Sequence, residues 1–267
     1  MRNRLLVVGA IVLVVCSGVA SAQSTQPQQA TAAKGEKPAP APAPPRDLSG
    51  IWDAGRKGIL PNAGSKAAPM TTWGQERFNA NKPGYGPREV PVGLTNDPLD
   101  TCDPAGFPRD ELFELRMLEI AQTPTHMLIL YQYQRAWRVI WTDGRELPKD
   151  LDSRWYGYSV GKWETDDTFV VQSNGTEERT WLDDEGDPHS DELRVEERFH
   201  RVDHDTLELT VTIDDPKAYT KPWVAVNKAV LNLRPPTTDI MEMICVPSEV
   251  DAYKKSIADP AAAGTTK

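Results

Sequence analysis

Three side chains in this sequence have the types and spacing for acid-base chemistry. Glu197 lies in ELRVEERFHRV, where a period of two puts it on the same face as Leu193, Val195 and Phe199. A bare carboxylate on an apolar face costs several kcal/mol, so Glu197 must be paired, hydrogen-bonded or protonated there. Desolvation would raise its pKa into a range useful for a general acid or base. The structural alternatives are an ion pair with an arginine such as Arg179 or Arg145, or a register that turns Glu197 outward. His189, in Asp187-Pro188-His189-Ser190, stands at the start of the same strand. There it is either a base oriented by a carboxylate or a turn residue bonded to the backbone. Glu197, His189 and Arg179 together would support metal-free hydrolysis, isomerisation or lyase chemistry.

Other patterns carry less. Gly157-Tyr158-Ser159-Val160-Gly161 matches the G-x-S-x-G nucleophile elbow, which needs a strand turning sharply into a helix. KWETDDTFVV follows instead, and reads as strand, turn and strand. Gly157 and Gly161 then fit aromatic neighbours packing across a sheet. His200 and His204 run along an extended chain into a turn, and no H-E-x-x-H or C-x-x-C occurs, so neither a metal nor a cofactor is expected. Asn174-Gly175-Thr176 reads as a turn. Among the aromatic residues, Trp137, Trp141, Tyr156, Tyr158 and Trp181 would line a ligand pocket if they point inward, and are core or cross-strand pairs if they do not.

These residues need strands to position them. LFELRMLEIAQ, HMLILYQY, AWRVIWT, WYGYSVGKWE, TFVVQS, ELRVEERFHRV, TLELTVTI and WVAVNKAVLNL follow one another with short connections, after a first short strand at Ser49 to Asp53. Trp137, Val139 and Trp141 share one face, as do Leu207, Leu209, Val211 and Ile213. No helical segment separates the main strands, so βαβ crossovers, and with them a doubly wound sheet or TIM barrel, are excluded. An antiparallel meander of about nine strands removes its edges best by closing into a barrel; a sandwich is the alternative. Residues 55–110 read as loop, broken by one helical turn at Thr72 to Asn79 with Thr72 as cap. A loop this long usually covers or binds something. Ser248 is expected to cap a short helix over Glu249 to Ile257.

The N-terminus reads as an export signal over residues 1–22. Arg2 and Arg4 precede an apolar run from Leu5 to Val15, and Ala20-Ser21-Ala22 marks the cleavage site. The run is too short to span a bilayer, and Val15 before Cys16 disfavours lipid attachment. Residues 23–46 are an Ala/Pro-rich disordered linker, 47–248 the β-domain, and 249–267 a short helix and disordered tail. The formal charge of −9 becomes −11 once Arg2 and Arg4 leave with the signal, which argues against nucleic acid or anionic membranes as partners. Cys102 and Cys245 then remain as a disulfide candidate in an oxidising compartment, or as two buried thiols.

The blocks SGIW, TTWGQERFNANKP, RVIWTDGR, GYSVGKWETDDTFVV, PHSDELRVEERFHR and DPKAYTKPW resemble those of a large group of uncharacterised exported proteins of environmental bacteria. That resemblance implies no catalytic residues. Gly50-Ile51-Trp52 is similar to the G-x-W that opens lipocalin-like barrels, where the tryptophan plugs one end. The chain is therefore expected to be a soluble periplasmic or secreted protein, an all-β antiparallel lipocalin-like β-barrel with a long loop after its first strand. A small, largely apolar ligand inside the barrel is the expected partner. The acid-base enzyme and a cell-envelope interaction protein are the alternatives, and the oligomeric state is not fixed by the sequence.

Overall fold

The computed structural model describes residues 41–55, 67–113 and 115–265; the expected signal peptide and most of the linker lie outside the described residues. Nine strands form one closed barrel in chain order. They are β1 (Gly50–Asp53), β2 (Met117–Gln122), β3 (His126–Tyr131), β4 (Trp137–Trp141), β5 (Tyr158–Trp163), β6 (Thr168–Asn174), β7 (Arg194–Arg201), β8 (Thr206–Asp214) and β9 (Trp223–Arg234). The expected strand order holds. The expected antiparallel pairing needs one correction: β4 and β5 run parallel, joined only at Ile140↔Ser159 and Trp141↔Val160. Parity requires it. A ring with an odd number of strands cannot alternate direction all the way round, so at least one neighbouring pair must be parallel. Here the chain climbs back along the barrel through residues 142–157, without a helix, and β1 can then meet β9 antiparallel.

Inward positions alternate along each strand, as the pleat dictates. Leu207, Leu209, Val211 and Ile213 on β8 face in with Val195 and Phe199 on β7 and Phe169 and Val171 on β6. All of these are 0% exposed, as are Leu118 and Ile129, so the interior is filled with side chains. At one end Trp52 donates its indole N–H to the Leu48 carbonyl at 2.8 Å, and Arg201 lies over the ring at 5.1 Å. At the other end, residues 105–112 of the long loop close the barrel, with Phe107 and Leu112 buried. That loop does cover something: the mouth of the barrel.

Local boundaries differ where capping or plugging intervenes. Helix α1 (Thr72–Ala80) is capped by Thr71, whose hydroxyl accepts from the Gly74 amide at 3.1 Å; Thr72 is the first helical residue, not the cap. β2 begins at Met117 and not at Leu112, because Arg109–Leu112 forms a helical turn, α2. The last helix, α3 (Pro247–Tyr253), starts on Pro247 with no side-chain cap, so Ser248 does not serve as one. It continues through a π-helical turn into α4 (Asp259–Thr265). The expected loose tail is therefore largely helical. Cys102 and Cys245 are bonded, with Cα atoms 5.4 Å apart. Among the described residues, no helix is long and apolar enough to cross a membrane.

Candidate functional site

The structure separates Glu197 from the other two expected acid-base residues. Glu197 faces into the barrel as its strand pattern implied, and is 0% exposed. Its partner is neither Arg179 nor Arg145 but Arg138 on β4, whose guanidinium donates to Glu197 Oε1 at 2.7 Å. Arg138 also donates to Glu111 of α2 and to the Tyr131 hydroxyl, each at 3.2 Å, and Tyr131 donates to Glu111. The Phe107 ring lies 3.9 Å from the Arg138 guanidinium carbon. Burial pushes the Glu197 carboxyl well above its ordinary range; Arg138 opposes the shift and Glu111 reinforces it. Glu197 holds Arg138 above its usual value against the pull of burial. All four polar residues sit at 5% exposure or less, beneath the residues that close this end of the barrel.

His189 is also buried, but its ring is used up internally. Nε2 lies 2.6 Å from Thr180 Oγ1 and Nδ1 lies 3.3 Å from the Ser190 carbonyl oxygen. Burial lowers its pKa, keeping the imidazole neutral. His189 shares a surface cleft of about 290 Å³ with Arg179 and Trp181. Arg179 is exposed, pairs with Glu177 at 3.2 Å and covers the Trp155 ring at 4.6 Å. Glu197, in the barrel, shares no hydrogen-bond partner with either residue. The acid-base cluster expected from the sequence does not assemble.

Tyr158–Gly161 is strand, with no elbow: Ser159 is buried and pairs with the Ser173 hydroxyl at 2.8 Å. A Cβ at Gly161 would lie 2.3 Å from Phe169 Cζ, the aromatic neighbour that position was expected to have. Gly157 instead has φ +57° and sits against the Asn174 carbonyl, so there the backbone, not an aromatic ring, requires glycine. Among the described residues, no three His, Cys, Asp or Glu side chains converge as metal ligands would.

The aromatic residues sort clearly once their neighbours are known. Trp137, Val139 and Trp141 do share a face, but it is the outer one; Arg138 and Ile140 take the lumen. Trp141 is covered by Arg145 at 3.7 Å, and Arg145 also donates to the Tyr158 hydroxyl at 3.0 Å. Trp181 is buried beneath Arg109 at 5.7 Å. Tyr156 is largely buried, and burial and the nearby Asp110 push its pKa up. None of these four offers a free ring face to a lumen ligand. Of the eight tryptophans, seven have a ring or cation partner; Trp137 has none among the described residues and is 62% exposed.

Trp137 is also where the surface is concave. In register across four strands, Ile51, Glu119, Leu130 and Trp137 form one outward row. Residues 235–246 return from the end of β9 across this row to the Cys102–Cys245 bond. The space between wall and strap forms a cleft of about 330 Å³, lined by that row together with Arg135, Asp239, Ile240 and Met241. A second cleft of about 490 Å³ opens on the other side of Trp137, bounded by Pro104, Arg135, Tyr156, Ile244 and the disulfide. Leu130, Trp137, Met241 and Ile244 are all exposed, although large and apolar. Such a contiguous apolar patch in a groove marks an interaction site more often than a bare surface. Sequence reasoning missed Arg138, Tyr131, Glu111 and the strap. The available signal was β4 itself: with tryptophans outside, alternation leaves Arg138 as the cation a buried Glu197 requires.

Comparison of the chain with protein-family models, curated proteins and solved structures finds no match.

Proposed function

We propose that this protein is an exported binding module that holds a small, largely apolar molecule on the outer wall of its barrel, in the paired clefts beside Trp137. The observation that carries this reading is Trp137 itself, the tryptophan without a ring or cation partner among the described residues and set between two concave surfaces. Leaving a large aromatic side chain in water forgoes on the order of 1.5–3 kcal/mol of burial, which a ligand with a flat apolar face would recover. The cleft volumes fall within the roughly 300–1,000 Å³ of small-molecule sites. A ligand inside the barrel is disfavoured because interior side chains contact one another with no solvent-sized void beside them. An acid-base enzyme built on Glu197, His189 and Arg179 is disfavoured by the burial of Glu197 away from the cleft that His189 and Arg179 share.

Export to the periplasm or beyond, with cleavage near Ala22, is part of the same proposal. The Cys102–Cys245 bond supports an oxidising destination. Kinship with lipocalin-like barrels draws support from Trp52 closing one end, while nine strands and a filled interior count against a lumen site of that kind. The test is to extract small molecules from protein purified from its own host, as wild type and as Trp137→Ala. A stoichiometric compound in the wild type and its loss from the variant are expected. Full retention by the variant would overturn the site.

A further inference from the structure

We infer that the larger of the two clefts beside Trp137 selects a planar aromatic anion, with its ring on the indole and its carboxylate or sulfonate on Arg135. This rests on the binding reading above and specifies its ligand class. The two clefts share Arg135, Ala136 and Trp137 but differ in charge. The smaller one includes Glu119 and Asp239 beside Arg135, so an anion there meets two carboxylates. The larger one has Arg135 as its one charged lining residue, and the rest of its wall is Trp137, Tyr156, Ile244, Pro104, Gln134, Ala136 and the disulfide. Tyr156 contributes no negative charge, because burial and the Asp110 charge hold its phenol protonated.

The backbone sets Arg135 in that position at a cost. Gln134 and Arg135 are consecutive non-glycine residues at φ 51° and 49°, in the left-handed region that L-residues seldom occupy. Gln134 is held there by two bonds into the plug: its carboxamide accepts from the Ala105 amide at 2.7 Å and donates to the Asp103 carbonyl at 3.1 Å. Arg135 follows one residue before Ala136, and Trp137 comes next, so guanidinium and indole flank one small residue. Within the described structure, the guanidinium's carboxylate contact is Glu242 on the strap at 3.3 Å, with both side chains more than 60% exposed. Such a surface pair contributes little, so a ligand anion can replace it at small cost. Arginine's planar donors match a carboxylate or sulfonate in a paired geometry.

The test uses two probes of the same ring system, 1-naphthoate and the neutral 1-naphthylmethanol, titrated calorimetrically into the mature protein. Naphthoate is expected to bind about tenfold tighter, the worth of one charge-assisted contact. Arg135→Gln is expected to remove that difference by weakening naphthoate alone, and Trp137→Ala to weaken both probes. Arg135→Gln is an exposed substitution, and unchanged circular dichroism and melting temperature check its fold. Equal affinity of the two probes for the wild type would overturn the anion selectivity while leaving the binding site standing. Binding of neither probe would count against the site itself, and naphthoate binding untouched by Arg135→Gln would place the anion elsewhere.

Discussion

The two sides of β4 carry chemistry opposite to the usual arrangement of a half-buried strand, apolar in and polar out. Inside, Arg138 is buried against Glu197, Glu111 and Tyr131 among side chains with almost no exposure; outside, Trp137 stands in water between two clefts. The buried group is the charged one, and its two terminal nitrogens are both bonded while Nε is not. The apolar group is the exposed one, and it has no ring or cation partner among the described residues. A charged cluster in a protein interior draws attention as catalytic, but in this one every side chain is buried and bonded to another member, with Arg138 Nε and Glu111 Oε2 left over, which fits a mainly structural network. The unfilled interaction capacity of the molecule lies on the other face of the same strand.

The largest expected effects come from breaking the inside. Glu197→Ala leaves Arg138 without its closest partner in a dry interior and is expected to destabilise by about 3–5 kcal/mol, read from urea unfolding. A loss below about 1 kcal/mol would mean that water reaches the network. Next is Gly161→Ala, whose added methyl meets Phe169 and Ile140 on the inner face. In an interior without slack this is expected to cost about 1–3 kcal/mol. A neutral result would reveal room in the barrel and revive a lumen ligand.

Titration sharpens the same contrast. Because the folded pKa of Glu197 is raised, the folded state keeps a proton that the unfolded chain releases above the ordinary carboxylate range. Its contribution to stability is therefore greatest below that range and is lost as pH rises toward the folded pKa. Asp187, pushed up to about 9 by burial and by Asp183, acts in the same direction over its own window. His189, lowered by burial, acts oppositely and loses stability as pH falls through the ordinary histidine range. Comparing wild type with Glu197→Gln isolates the first contribution. The variant's stability is expected to decline less steeply as pH rises above the ordinary carboxylate range, by up to about 1.4 kcal/mol per pH unit for one proton. Parallel curves would show that Glu197 is ionised when folded.

The smallest stability effect is expected outside. Trp137→Ala should change stability by no more than about 0.5 kcal/mol, since it removes a partnerless exposed ring. Reducing the Cys102–Cys245 bond with a dithiol should loosen residues 239–245, which no backbone hydrogen bond ties to the wall among the described residues. Faster amide exchange there, with β6 to β8 unchanged, is the outcome to look for. If the strap stays protected, the disulfide is not what shapes the clefts.

Much of this was legible in the residues. Alternation in TLELTVTI and ELRVEERFHRV placed eight inward side chains, including Glu197, because a two-residue period survives any detail of closure. The order of nine strands followed from turn residues such as Asp166-Asp167 and Asp203-His204-Asp205. The parallel β4–β5 join was not read, although it follows from closing an odd-numbered ring. The inward face of β4 was left open, because two tryptophans and a valine outweigh Arg138 and Ile140 on hydrophobicity alone, and only the tertiary demand of Glu197 reverses that preference. The clefts were out of reach for another reason. Residues 235–246 have no periodicity, so nothing local indicates that they cross the row Ile51, Glu119, Leu130 and Trp137.

The most direct measurement is fluorine NMR of the protein labelled with 5-fluorotryptophan, with the Trp137 signal assigned by a Trp137→Phe variant, during titration with 1-naphthoate. The account predicts that the Trp137 resonance shifts first and most, while the resonance of Trp52 inside the barrel stays in place. A shift at Trp52 with Trp137 unmoved would mean that the ligand enters the barrel, and that the interior is not filled as described.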